Sequence, residues 1–135
     1  MRSVIQQSVV LPATAERLFE MYLDAKQHAA FTGFPVTIGH EPGAAFEAFG
    51  GQLSGTVLAV IPSRLIVQSW RSVKFKIDDP DSTLILSFVA AKTAPKQGRI
   101  DLVHVDVPKH DYEDVIEGWQ KYYWTPWRVY LESSD

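Results

Sequence analysis

Cysteine is absent from this 135-residue sequence, which excludes disulfides and thiolate metal sites and leaves nothing that points to an oxidising compartment. An excess of positive charge is lacking too. Thirteen Lys and Arg face sixteen Asp and Glu, giving a net charge of −3, whereas strong nucleic-acid binding needs a basic footprint. No long apolar run occurs, and the stretch Met1 to Leu11 is too polar for a signal peptide or a membrane span. The expectation is a cytoplasmic chain with no membrane and no nucleic acid as partner.

Catalytic punctuation is equally sparse. The four histidines, His28, His40, His104 and His110, have no metal-ligand spacing. Asp78, Asp79 and Asp81 do not continue into a calcium loop with a terminal Glu, and read as a solvated turn. Ser54, in Gly51-Gln52-Leu53-Ser54-Gly55, is misplaced for a nucleophile elbow, and Gly50-Gly51 is hairpin chemistry, not a phosphate cradle. Asp111, Glu113, Asp114 and Glu117 fall where negative charge suits the start of a helix. Arg71 fits a surface ion pair or an anchor for an anionic ligand group. No nucleophile, base and orienting group assemble from these parts. The expectation is no enzyme, no catalytic residue, no metal site and no cofactor.

Apolar and aromatic residues are what the sequence does have. Hydrophobic residues make up 46%, and four tryptophans include three within nine residues, Trp119, Trp124 and Trp127. With no linker or repeat, one domain over residues 1–135 is the economical reading. Ser3 to Leu11 alternates as a strand stopped by Pro12. Thr14 caps a helix bearing Leu18, Phe19, Tyr22 and Leu23, and Asp24 with Gln27 starts a second, short one ending near Phe31 to Gly33. Strands are expected at Val36–Ile38, Ala44–Phe49, Leu53–Ile61, Leu65–Arg71, Thr83–Ala91 and Ile100–Val107, with a loop over Ala94–Gly98. From Asp111 to about Leu131 aromatic residues recur at helical spacing, with Pro126 expected to kink or divide the helix.

The order β-α-α-β(six)-α implies an α+β fold in which a curved antiparallel sheet grips one long C-terminal helix. A strongly bent sheet does not meet a straight helix along its whole length, so a pocket between them is expected. Alternation turns Leu84, Leu86 and Phe88 inward on one strand, and Ile100, Leu102 and His104 on the next. The helix contributes Val115, Trp119, Tyr122 or Tyr123, and Trp127. Gly118 is expected where the helix backbone closely approaches the sheet. His104 fits either a core histidine with its hydrogen bond met or a polar group facing a ligand.

Three motifs carry a resemblance: the hairpin from Gly43-Ala44-Ala45-Phe46 through Gly55, the strand Ile66-Val67-Gln68-Ser69-Trp70-Arg71, and the helical Glu117-Gly118-Trp119-Gln120-Lys121-Tyr122-Tyr123. Together with His104 before Val107-Pro108, they resemble bacterial proteins similar to the C-terminal domain of the activator of the heat-shock-protein-90 ATPase. That family belongs to the START / Bet v 1-like (SRPBCC) superfamily, and the resemblance, running from about Ser3 to Leu131, implies the helix-grip fold. Phe31 stands where the family usually has Trp, and Ala44 replaces the second glycine of a pair. The additional N-terminal domain of the eukaryotic activator does not precede the first strand here, so ATPase activation is not expected. The expected function is a module accommodating an apolar or amphipathic small molecule. Its pocket residues are expected to be Phe31, Trp70, Leu86, Phe88 and Leu102 with His104, Trp119, Tyr123 and Trp127. The alternative is a chaperone-associated or stress-related interaction factor, with a chaperone or homodimer partner meeting an exposed Trp124 or Trp127.

Overall fold

Alternating strands and glycine-marked turns organise most of the chain, of which a computed structural model describes residues 3–92, 94 and 96–133. Met1, at the start of the expected leaderless N-terminus, and Pro95, in the expected loop, lie outside the described residues. Strand β1 spans Ser3–Leu11, and the Thr14 hydroxyl then caps α1 (Ala15–Leu23) by accepting the Arg17 N–H at 3.2 Å. Asp24 serves two helices at once. Its N–H closes α1 on the Glu20 carbonyl, while its carboxylate opens α2 (Ala25–Thr32) by accepting from the N–H groups of Lys26 and Gln27. Helix α2 stops at Gly33, whose φ of 85° is a left-handed conformation that glycine reaches without a Cβ clash.

Six strands follow: β2 (Val36–Thr37), β3 (Ala45–Ala48), β4 (Leu53–Ile61), β5 (Leu65–Ser72), β6 (Ser82–Ala90) and β7 (Gly98–Val107). They form one antiparallel sheet in the order β1-β7-β6-β5-β4-β3-β2. Local irregularities accompany its curvature. The β1–β7 register slips between Ser3 and Ile5, opposite Asp106 at φ 64°, and the β4–β5 register slips between Val57 and Ala59. Two residues before the second slip is Gly55, where an added Cβ would stand 2.0 Å from the Ser69 carbonyl oxygen. Only glycine lets the two strands meet so closely, and the Ser69 hydroxyl there takes over the Thr56 N–H at 2.9 Å.

The concave face is the core. Leu84, Leu86 and Phe88 of β6 and Ile100, Leu102 and His104 of β7 all point inward and are buried. Leu18, Met21 and Tyr22 of α1 and Phe31 of α2 pack over them. The expected helix-grip architecture is the one the chain adopts.

The C-terminal helix is in three parts. After a 3₁₀ turn at Lys109–Asp111 come α3 (Tyr112–Gly118), a π-helical turn (Trp119–Trp124) and α4 (Thr125–Ser133). Pro126 lies in the first turn of α4, where its missing N–H leaves the ladder no donor to continue an α-helix inward from the π turn. The Thr125 N–H instead reaches back five residues to the Gln120 carbonyl. This wide turn puts residues five apart on one face, so Trp119 and Trp124 stack at 5.6 Å with an interplanar angle of 21°. Trp124 and Trp127 are therefore both buried, which corrects the expectation that one of them forms an exposed partner surface. Gly118 is corrected as well. No sheet backbone approaches it, and a Cβ there would meet only the Tyr122 ring, at 3.7 Å.

Candidate functional site

The same sheet and helix that close tightly at one end separate at the other. A groove of about 360 Å³, open to solvent along one side, lies between the β4–β5 end of the sheet and α3 with the π turn. Leu53, Trp70 and Ser72 form its sheet wall, and Val115, Gly118, Trp119 and Tyr123 its helix wall. Phe34, Phe49 and Tyr122 form an aromatic rim, with ring centroids of Phe49 5.2 Å from Phe34 and 5.6 Å from Tyr122. Phe49 reaches this position from the β3–β4 hairpin, where it takes a φ of 54° just before Gly50 and Gly51, both also at positive φ. A bulky side chain in that region is uncommon, and such strain concentrates where a side chain is held for a purpose.

The helix wall is fixed from behind by two buried histidines. The Trp119 indole N–H donates to His104 Nδ1 at 3.2 Å, so the His104 proton sits on Nε2 and is donated to the Ser82 hydroxyl at 2.8 Å. Ser82 in turn donates to the Trp70 carbonyl at 2.6 Å, closing a chain from one groove wall to the other. The second histidine works the opposite way round. His28 Nδ1–H donates to the Tyr22 carbonyl at 2.7 Å, and its Nε2 accepts the Tyr123 hydroxyl at 2.8 Å. Burial holds both rings neutral, lowering the pKa of His28 to about 4 and that of His104 to about 3. Burial likewise raises the Tyr123 phenol, which stays protonated as a donor.

Among the described residues, charge enters the groove through Lys74, Asp111 and Asp114. Lys74 Nζ pairs with Asp114 Oδ2 at 3.3 Å. Arg71 does not reach the groove: it binds the Lys76 and Asp79 carbonyls, each at 2.7 Å, and Asp81 at 3.0 Å, and so knits the loop after β5.

Of the residues expected around a pocket, Trp70, Trp119 and Tyr123 come together along the groove. Phe31, Leu86, Phe88, Leu102, His104 and Trp127 do not; they lie in the packed core. Phe31 stacks on Trp127 at 4.1 Å and Phe19 meets Phe88 edge-on at 5.6 Å, filling the space beneath α4. Reading the sequence missed Phe34, Phe49, Lys74 and the groove-facing role of Asp111. It also missed His28, which no local signal marks because its partner Tyr123 is 95 residues away. The positive-φ hairpin was legible, and the phenylalanine just before it was the available clue. Among the described residues no group of three His, Cys, Asp or Glu is placed to hold a metal, and no helix is long and apolar enough to cross a membrane.

A curved antiparallel sheet gripping an aromatic C-terminal helix, with a groove along one side, defines the helix-grip class of the Bet v 1-like proteins. Residues 12–132 match the family described as Activator of Hsp90 ATPase homolog 1-like protein, and the chain belongs to that family. Activator of 90 kDa heat shock protein ATPase homolog 1 from Homo sapiens is 27% identical over 110 residues, covering 80% of this chain and 31% of that protein. Homolog 2 from Mus musculus is 27% identical over 119 residues, covering 88% of this chain and 35% of that protein. The chain thus spans about a third of the length of these relatives. Among solved structures, an HSP90 activator from Plasmodium falciparum superposes with a TM-score of 0.84 at 20% identity, covering 96% of each chain. Ara h 8.0201 superposes with a TM-score of 0.73 at 12% identity, over 98% of this chain and 99% of that one.

Proposed function

We propose that the chain is a non-catalytic binding module that accommodates an apolar or amphipathic small molecule in the groove between the β4–β5 end of the sheet and α3 with the π turn. The observation that carries this reading is the contrast in packing. An aromatic-walled hollow of about 360 Å³ lies beside a core of stacked and edge-on rings, and its helix wall is held by hydrogen bonds from Trp119 and Tyr123 on the far side. Pre-formed concavity with apolar walls and few polar groups is what small-molecule sites have in common. Both buried histidines have each ring nitrogen engaged, which suits them to holding walls in place and not to moving protons. Native mass spectrometry of freshly purified protein tests the reading by looking for a co-purifying small molecule. Nuclear magnetic resonance then asks whether titrated apolar compounds move the Trp70 and Trp119 indole signals while leaving Trp127 unmoved. A chain that emerges empty, and whose Trp70 and Trp119 signals no apolar compound moves, does not bind there.

A second reading, a chaperone-associated interaction factor, is favoured by the family and by the names of the relatives above. The exposed tryptophan once expected to support it is absent. Purified chaperone of the heat-shock-protein-90 class, mixed with this chain, should show a complex by analytical ultracentrifugation and a changed ATPase rate if that reading holds.

A further inference from the structure

Asp111 is the groove carboxylate that the surrounding protein leaves without a partner. Residue exposure is only 3%, yet its carboxylate has no hydrogen bond or ion pair among the described residues. Its oxygens are not among the sealed orphan atoms, which are the Trp70 and Trp127 indole nitrogens, so the sliver of Asp111 that stays uncovered is at the carboxylate, on the groove lining. A desolvated carboxylate without a partner is costly and rarely kept without a use. The basic groups nearby are engaged elsewhere: Lys74 pairs with Asp114 at 3.3 Å, and His110 Nε2 meets Asp79 at 3.1 Å. The groove's charged end, one lysine against two aspartates, therefore carries one unmatched negative charge.

Resting on the binding reading above, we propose that the groove takes a cationic amphiphile, a protonated amine with an aromatic or alicyclic body. The ammonium group meets Asp111, and the apolar body lies against Trp70, Trp119 and Phe49. Two effects favour this occupant over a neutral or anionic one of the same shape. A charge-assisted bond to a carboxylate out of bulk water is about twice as strong as a neutral one. Indole faces also attract cations, and two indoles, with ring centroids 6.2 Å apart, face this space. An anion would find the lining Lys74 already paired and an unmatched carboxylate beside it.

Naphthylethylamine, naphthylethanol and naphthylacetate share one ring system and differ in charge, so calorimetric titration of the full chain with all three separates body from head group. The amine is expected to bind about tenfold or more tighter than the alcohol, with the acid weakest. Asp111→Asn should level the amine with the alcohol while leaving alcohol affinity unchanged. Lys74→Ala, at an exposed site, should raise amine affinity several-fold by removing a like charge, and it decides the matter alone if the Asn variant does not fold. Amine and alcohol binding equally, or an amine preference indifferent to both substitutions, overturns the cation inference while the binding reading stands. If none of the three compounds moves the Trp70 or Trp119 indole signals, the groove is not a ligand site and both fall.

Discussion

The two ends of the helix–sheet interface use the same kinds of residue to opposite effect. Under α4, Phe31, Trp127, Phe88 and Leu102 are buried against the concave sheet, and Trp127 stacks on Phe31 at 4.1 Å. Under α3 and the π turn, Trp70, Trp119 and Tyr123 stand as walls around open space. At the groove Trp119 and Tyr123 are each tied through a polar atom to a buried histidine, so they keep their places without a neighbour on the open side. Aromatic composition alone does not distinguish a core from a binding wall.

The largest test of this contrast is Trp127→Ala. With the side chain fully buried and stacked, the substitution is expected to cost about 3–5 kcal/mol in chemical denaturation. Tyr122→Ala, on the groove rim and 47% exposed, should cost no more than about 1 kcal/mol. Equal losses would erase the distinction between the two ends.

Acid should act through the histidines. Their folded pKa values lie below the usual 6.5, so the unfolded chain binds more protons and stability falls as the pH drops. The window runs from about 6.5 down to about 4 for His28 and about 3 for His104. Between pH 6.5 and 5, above the carboxylate range, each histidine should remove up to about 1.4 kcal/mol per pH unit. Denaturant midpoints flat across that interval would contradict the neutral, wall-holding role.

Glycine substitution asks where the molecule has room. A methyl at Gly98 would fall 2.7 Å from Leu18 Cδ1 and 2.8 Å from the Ala15 nitrogen, so Gly98→Ala should cost about 1–3 kcal/mol. Gly118→Ala, with nothing nearer than Tyr122 at 3.7 Å, should instead stabilise the helix by about 0.5–1 kcal/mol while narrowing the groove. Thermal melts of the two variants should move in opposite directions.

Between these in kind is Tyr123→Phe, which keeps the ring in the groove wall and removes the donor to His28 Nε2. A stability loss of about 1 kcal/mol is expected in denaturation, with weaker binding of any groove ligand.

Much of this protein was legible residue by residue. Thr14, Asp24 and Gly33 announced the first two helices through side-chain and backbone chemistry confined to a few neighbours, and the strand boundaries followed from alternation and from Pro12 and Pro108. Inward rows on β6 and β7 followed for the same reason, since a period of two fixes the face. Locally encoded features were readable because their causes are local.

The site was readable only in part. Trp70, Trp119 and Tyr123, expected from their positions on a strand and a helix face, line the groove, whereas Phe31, Leu86, Phe88, Leu102, His104 and Trp127 lie in the packed core. An α-helical period also left Trp124 facing outward; the π turn ahead of Pro126 swings it in. By itself the sequence determined the elements, their order and the buried face of each. Tertiary structure alone decided where the helix parts from the sheet, which histidine holds which ring, and that Asp111 is left without a partner. Those depend on contacts between residues up to about a hundred positions apart, and no short-range pattern records them.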